Sequence, residues 1–236
     1  MGLFFRKQES PRIYWQPKAN SQNPIELKLN FVLLKIHPDN PNIREVAYVC
    51  ECLRDGGVVI CPTDTVYGFT CDITKPKAVE RVARLKNIQV EKANFSIICY
   101  DLSHLSDYCK PIDNTVYKLM RKVLPGPFTF ILEANNNVPK IFKSRKKTIG
   151  IRVPENNIAR EIVKELSNPI LSASVHNEED EILEYITDPE LIHEKYHKLV
   201  DIVIDGGPSE TEGSTVVDCT KGEPIILRQG LGLVEM

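Results

Sequence analysis

Residues 61–72 read CPTDTVYGFTCD and follow directly on the apolar run Gly57-Val58-Val59-Ile60. A plain turn calls for Gly, Pro, Asn or Asp; it has no need of Thr63, Thr65 and Tyr67 around Asp64. Hydroxyls and a carboxylate at the end of a strand are what α/β proteins use to bind ligands. Comparable groups recur beside other apolar runs: Lys86 with Lys92, Pro125-Gly126-Pro127-Phe128-Thr129, Arg152-Val153-Pro154, Ser172-Ala173-Ser174, Ser214-Thr215 and Arg228. Gathered at one edge of a sheet, these cations and hydroxyls would form an anion pocket. Each also has a plainer reading, since Ser and Thr cap helices and turns and Arg152 can simply pair with a carboxylate.

Other motifs carry less. HEKYH at 193–197 has the His-Glu-x-x-His spacing of a zinc site, but its helix is short and lysine-laden and no third ligand is evident. A solvated surface helix is the expectation there, and no metal ligands are assigned. The chain has neither GxxxxGK nor GxGxxG after a strand. GGPSETEGSTVVD at 206–218 is glycine-rich and can wrap an anion through backbone N–H groups, a weak signal alone. The seven cysteines form no CxxC pair and suit buried free thiols in a reducing compartment.

The 236 residues are within reach of one large domain, and a net charge of −2 excludes a chain-wide polybasic argument for nucleic acid. Charge is unevenly placed. Residues 118–152 hold nine Lys or Arg and one carboxylate, Glu133, whereas residues 176–212 hold twelve carboxylates and two lysines. The basic region would serve a polyanion or a nucleotide triphosphate, or be one of two solvated faces of opposite sign. No apolar run approaches a membrane span, and MGLFFRKQES lacks the order of a signal peptide, so a cytoplasmic protein is expected. Residues 1–30 show no helical or strand period and read as an N-terminal arm.

The elements that must position these groups begin at residue 31. Strands are predicted over 31–36, 58–61, 95–100, 128–132, 148–153, 170–174, 202–205, 215–219 and 224–228. Helices are predicted over 43–54, 75–86, 113–123, 157–166 and 189–199. Their alternation without a repeat gives an α/β fold with a mixed sheet, and no linker divides residues 31–236.

GGVVICPTDTVYGFTCD (56–72), AVERVARLK (78–86), LPGPFTFIL (124–132), TIGIRVP (148–154), LSAS (171–174) and STVVDCT…ILRQG (214–230) together resemble the YrdC/YciO family. The resemblance runs from residue 37 to the C-terminus, in the family's order. It implies a YrdC-like twisted mixed sheet flanked by helices, with a concave, positively charged pocket. YrdC-type members join L-threonine, bicarbonate and ATP into threonylcarbamoyl-AMP and release pyrophosphate, for tRNA modification. By that resemblance the substrate- and nucleotide-binding residues are Thr65, Tyr67, Lys86, Lys92, Thr129, Arg152, Ser172, Ser174, His176, Ser214 and Arg228. ATP is then a substrate accompanied by Mg²⁺, and L-threonine or a related small molecule a partner. A carbamate attacking an α-phosphate brings two anions together, which needs fixed cations.

Two departures set this chain nearer the YciO branch. Synthases follow the lysine matching Lys86 with Gly-Arg-Pro or similar; here Asn87-Ile88-Gln89 stands. They read Ser-Ala-Asn where this chain has Ser174-Val175-His176. Isoleucine supplies no guanidinium fork, and an imidazole differs from an amide in geometry and protonation. The expectation is a retained pocket with altered or abolished synthase chemistry. The alternative is a non-catalytic module that binds double-stranded RNA, or tRNA, through the basic run 140–147.

Overall fold

Four helix starts are written into single polar residues. Asn42, Asp113, Asn156 and Asp188 each accept a hydrogen bond from a backbone N–H of the first helical turn that follows. Such caps contribute about 1 kcal/mol apiece. They open α1 (Ile43–Arg54), α3 (Asn114–Val123), α4 (Asn157–Leu166) and α5 (Pro189–Tyr196); α2 (Pro76–Leu85) starts instead with proline in its first turn. The computed structural model describes residues 32–90, 93, 95–103, 105–139, 147–175 and 185–234. The arm expected over 1–30 and most of the basic run 140–147 lie outside them.

Ten strands form one sheet: β1 (Val32–Lys35), β2 (Val59–Cys61), β3 (Gly68–Asp72), β4 (Ser96–Ile98), β5 (Phe128–Glu133), β6 (Thr148–Arg152), β7 (Ile170–Ser174), β8 (Ile202–Asp205), β9 (Thr215–Asp218) and β10 (Ile225–Arg228). Their order is β1-β8-β2-β3-β7-β4-β6-β5-β9-β10, with parallel and antiparallel neighbours mixed. The strand that sequence reading omits is β3. It pairs antiparallel with β2, Cys61 opposite Gly68 and Val59 opposite Thr70, so CPTDTVYGFTCD is a hairpin and not an exit from a strand. All five of its residues are buried, which removes the alternation by which a half-exposed strand is recognised.

Both faces of the sheet carry helices, but not over the same length. One face packs Phe69, Ile97, Phe130, Ile151 and Val217 against α2, α3 and α5 through Val79, Val82, Met120 and Ile192. On the other, α1 and α4 cover Val59, Ile98, Ile170 and Ile202 with Val49, Leu53, Ile158 and Ile162. Beyond these two helices the second face opens into a cavity. No helix of the described residues is long and apolar enough to cross a membrane. All seven cysteines are unpaired thiols, and burial pushes Cys99 and Cys109 up to about 12, where they stay protonated at neutral pH.

Candidate functional site

Strand periodicity makes the floor of the cavity. Ile98 and Ile170 sit under α4, and the residues two positions away on the same face, Ser96 and Ser172, line the cavity with Ser174. Register continues the row: Ser172 faces Ser96, Ser96 faces Gly150, Gly150 faces Ile131, and Ile131 faces Asp218. Four strand spacings give this row a length of about 19 Å. The cavity encloses about 710 Å³. Its described lining holds three cations, Lys86, Arg152 and Arg228, and one carboxylate, Asp218.

Glycine keeps that floor low. A Cβ at Gly150 would stand 2.9 Å from Cβ of Ser96 and 3.2 Å from Cγ2 of Thr129. Gly150→Val is therefore expected to destabilise the fold by about 1–3 kcal/mol, as overpacking does, and to occlude the cavity. Thermal unfolding and ligand titration together check both halves of that expectation.

Arg152 is the most enclosed of the charges that line the cavity. Its Nη2 lies 2.8 Å from Asp64 Oδ1 and donates to Thr65 Oγ1 at 3.0 Å, with both partners of the ion pair under a tenth exposed. Asp64 also accepts from the backbone N–H of Glu155. Hydroxyl arithmetic then fixes the chain of donors. Thr63 gives its proton to Val66 O at 2.8 Å, so across the 3.1 Å contact Thr65 donates to Thr63 and accepts from Arg152. Thr65 thus holds Arg152 and has no hydrogen left for a ligand. Arg152 Nε is buried and has no hydrogen-bond partner among the described residues. Burial lowers the Arg152 pKa, the neighbouring Asp64 opposes that, and Arg228 adds to it as a like charge. Two guanidiniums facing one cavity favour an anion between them.

The remaining groups fall around this centre. Arg228 Nη2 donates to Ser214 O at 2.8 Å, and Ser214 Oγ is 2.7 Å from Thr129 Oγ1. At the far end Lys86 Nζ donates to Ser174 O at 2.9 Å. Tyr67 lines the cavity, but its hydroxyl donates to Gly207 O and accepts from Gly206 N–H, which ties the β2–β3 hairpin to the loop after β8. The ILRQG segment is a clamp: Gln229 Nε2 donates to Gly232 O at 2.7 Å and to Thr215 Oγ1 at 3.3 Å, fastening the C-terminal segment onto β9.

The turn that ends α2 keeps its shape while changing its chemistry. Asn87 has φ 53°, its N–H reaches Arg84 O, and Ile88 N–H reaches Ala83 O, which is a Schellman stop with Asn in place of Gly. Ile88 follows on the cavity wall, 39% exposed.

Of the eleven residues singled out from the sequence, the structure brings nine into this one cavity; Lys92 and His176 lie outside the described residues. The expected location needs correction: the groups converge on a face of the sheet, not along its edge, because Thr129, Ser172 and Ser174 lie within strands. The plain reading of Arg152 also holds, since it pairs with a carboxylate and lines the cavity at once. His193 and His197 of HEKYH have ring centroids 5.4 Å apart, but His197 lies at the end of α5 with Nδ1 against backbone carbonyls. Among the described residues no group of three or more His, Cys, Asp or Glu is placed to hold a metal. Sequence reading missed Ser96, Gly150, Asp218 and Leu227; the alternations Ser96-x-Ile98 and Gly150-x-Arg152 were the available signal for the first two.

A Sua5/YciO/YrdC family model, described as telomere recombination, matches residues 51–230. The chain belongs to the Sua5/YciO/YrdC family. It is 39% identical over 201 residues to the uncharacterized protein YciO of Escherichia coli (strain K12), covering 85% of this chain and 96% of that one. The crystal structure of E. coli YciO superposes with a TM-score of 0.80, over 86% of this chain and 98% of the other. A threonylcarbamoyl-AMP synthase of Coxiella burnetii (strain RSA 493 / Nine Mile phase I) is 28% identical over 174 residues, 73% of this chain and 91% of its own. The fold also matches P. abyssi Sua5 complexed with L-threonine, at TM-score 0.77 and 24% identity, over 84% of this chain and 57% of that one. Within the family, then, this chain shares more identity with YciO than with the Coxiella synthase.

Proposed function

We propose that the cavity binds an adenine nucleotide together with L-threonine or a related small molecule, and that the protein makes or acts on threonylcarbamoyl-AMP or a similar carbamoyl-adenylate. The observation that carries this is the convergence of Lys86, Arg152, Arg228 and the hydroxyls of Thr129, Ser172 and Ser214 in one trough on the sheet. Relatives that carry an activity in their names include threonylcarbamoyl-AMP synthases, which supports this reading over the RNA-binding alternative.

In the synthetic direction a carbamate oxygen attacks the α-phosphate, its bond to phosphorus forms, and the bond to pyrophosphate breaks. Arg152 and Arg228 would hold the facing anions together, and Lys86 would draw negative charge to the β7 end. Thr129 and Ser214 share one hydrogen bond between them, which leaves a hydroxyl proton to orient a substrate oxygen. Mg²⁺ would enter on the triphosphate, with most of its ligands from phosphate and water.

Ile88 bears on the direction of the reaction. A triphosphate gripped at Lys86 finds an apolar side chain two residues on, so a monophosphate ester fits this wall better than ATP. The test supplies ATP, Mg²⁺, L-threonine and bicarbonate in one reaction and threonylcarbamoyl-AMP in another, and follows pyrophosphate and AMP by chromatography. Consumption of the adenylate, or slow synthesis dependent on all substrates, is expected. Failure of ATP, AMP and the adenylate all to bind would overturn the proposal.

A further inference from the structure

Asp218 sits oddly in a cavity otherwise suited to anions. It is the one carboxylate among the described lining residues, and it would repel a phosphate placed beside it. Its Oδ1 accepts from the N–H and hydroxyl of Thr220 at 2.9 and 2.7 Å, which locks the carboxylate in place. Among the described residues nothing hydrogen-bonds Oδ2. Its register partners on both sides are apolar, Ile131 on β5 and Ile225 on β10.

The adjoining strand contains an irregularity that adds to this. The register of β10 slips between Ile226, opposite Val217, and Arg228, opposite Val216. One extra residue, Leu227, is accommodated there, and both Leu227 and Arg228 line the cavity as a result. Bulges beside binding sites re-aim side chains in this way. Leu227 is 58% exposed, an apolar surface offered to the cavity next to a guanidinium.

We infer that the β9–β10 end of the cavity is a nucleoside subsite, in which Asp218 takes the ribose hydroxyls and Leu227 packs against the base. A fixed carboxylate with a spare oxygen lone pair accepts from a cis-diol, as acidic residues do toward ribose in other nucleotide folds. Val216, Ile131 and Leu227 supply apolar surface for a flat ring, and Arg228, on β10 opposite Val216 and so two residues along the strand direction from Asp218, stands where the first phosphate would follow. A hydrated divalent cation suits the place less, because the isoleucines flanking Asp218 offer it no oxygen. The inference rests on the nucleotide reading above and says which end of the cavity holds the sugar.

The test is calorimetric titration of the full chain with AMP and with 2′,3′-dideoxy-AMP, in EDTA, for wild type and Asp218→Asn. Asparagine keeps the oxygen that Thr220 uses, so the turn survives. A hydrogen bond to a charged acceptor is worth enough to give wild type about a tenfold or greater preference for AMP. Asp218→Asn is expected to shrink that preference without weakening the binding of dideoxy-AMP, which a merely structural role would not do. Equal binding of the two nucleotides by wild type, or parallel weakening of both in the variant, overturns the subsite alone. Binding of neither by wild type overturns the nucleotide reading and the subsite with it.

Discussion

Arg152→Met is expected to cost about 3–5 kcal/mol of folding stability, because it strands the Asp64 carboxylate in an enclosed site. Asp64 is under a tenth exposed and already spends one oxygen on the N–H of Glu155, so it has little water to fall back on. The companion variant Asp64→Asn/Arg152→Met removes both charges and is expected to recover most of that loss. Ligand binding should not recover with it, since the guanidinium facing the cavity is gone from both. Urea denaturation of the three proteins checks the stability half and titration the binding half. A single variant that loses less than about 1 kcal/mol would mean that Asp64 finds another partner, and that the pair does not organise the hairpin.

Ile88→Arg is expected to act in the opposite sense. The Schellman turn presents residue 88 to the cavity by backbone geometry, so an arginine there needs no rearrangement of α2. One phosphate-binding guanidinium contributes on the order of 2–4 kcal/mol to a charged transition state, or roughly 30- to 1,000-fold in rate. Pyrophosphate release from ATP, threonine and bicarbonate should rise accordingly, with little change in thermal stability because the position is exposed. An unchanged rate would place the obstacle to synthesis elsewhere, at His176 or in a different substrate.

How much of this was legible beforehand differs from residue to residue. Helices α1 and α4 could be read to the residue, because Asn42 and Asn156 mark their starts and an apolar stripe defines their length. Strand β3 could not, because Gly68–Asp72 is buried on both faces and begins with a glycine that looks like a turn. The polar groups of the cavity announced themselves by type: hydroxyls and cations beside apolar strands have few structural uses. Their arrangement did not. That Thr65 serves Arg152, and that the hydroxyl of Tyr67 is spent on Gly207, follows from distances that no spacing encodes. Asp218 and Leu227 were invisible for a related reason. A carboxylate after an apolar run reads as a strand end, and a one-residue bulge leaves no mark in the hydrophobic pattern.

The function proposed for the cavity is that of a nucleotide site whose grip on a triphosphate is weakened at Ile88. It is tested most directly by the relative affinity of the wild-type protein for AMP and for ATP with Mg²⁺, measured by calorimetry in the same buffer. AMP is expected to bind at least as tightly, because the β- and γ-phosphates would meet an apolar wall where a second cation would be needed. ATP binding tenfold or more tightly than AMP would contradict it, and would show that the cavity grips the triphosphate without a cation at position 88.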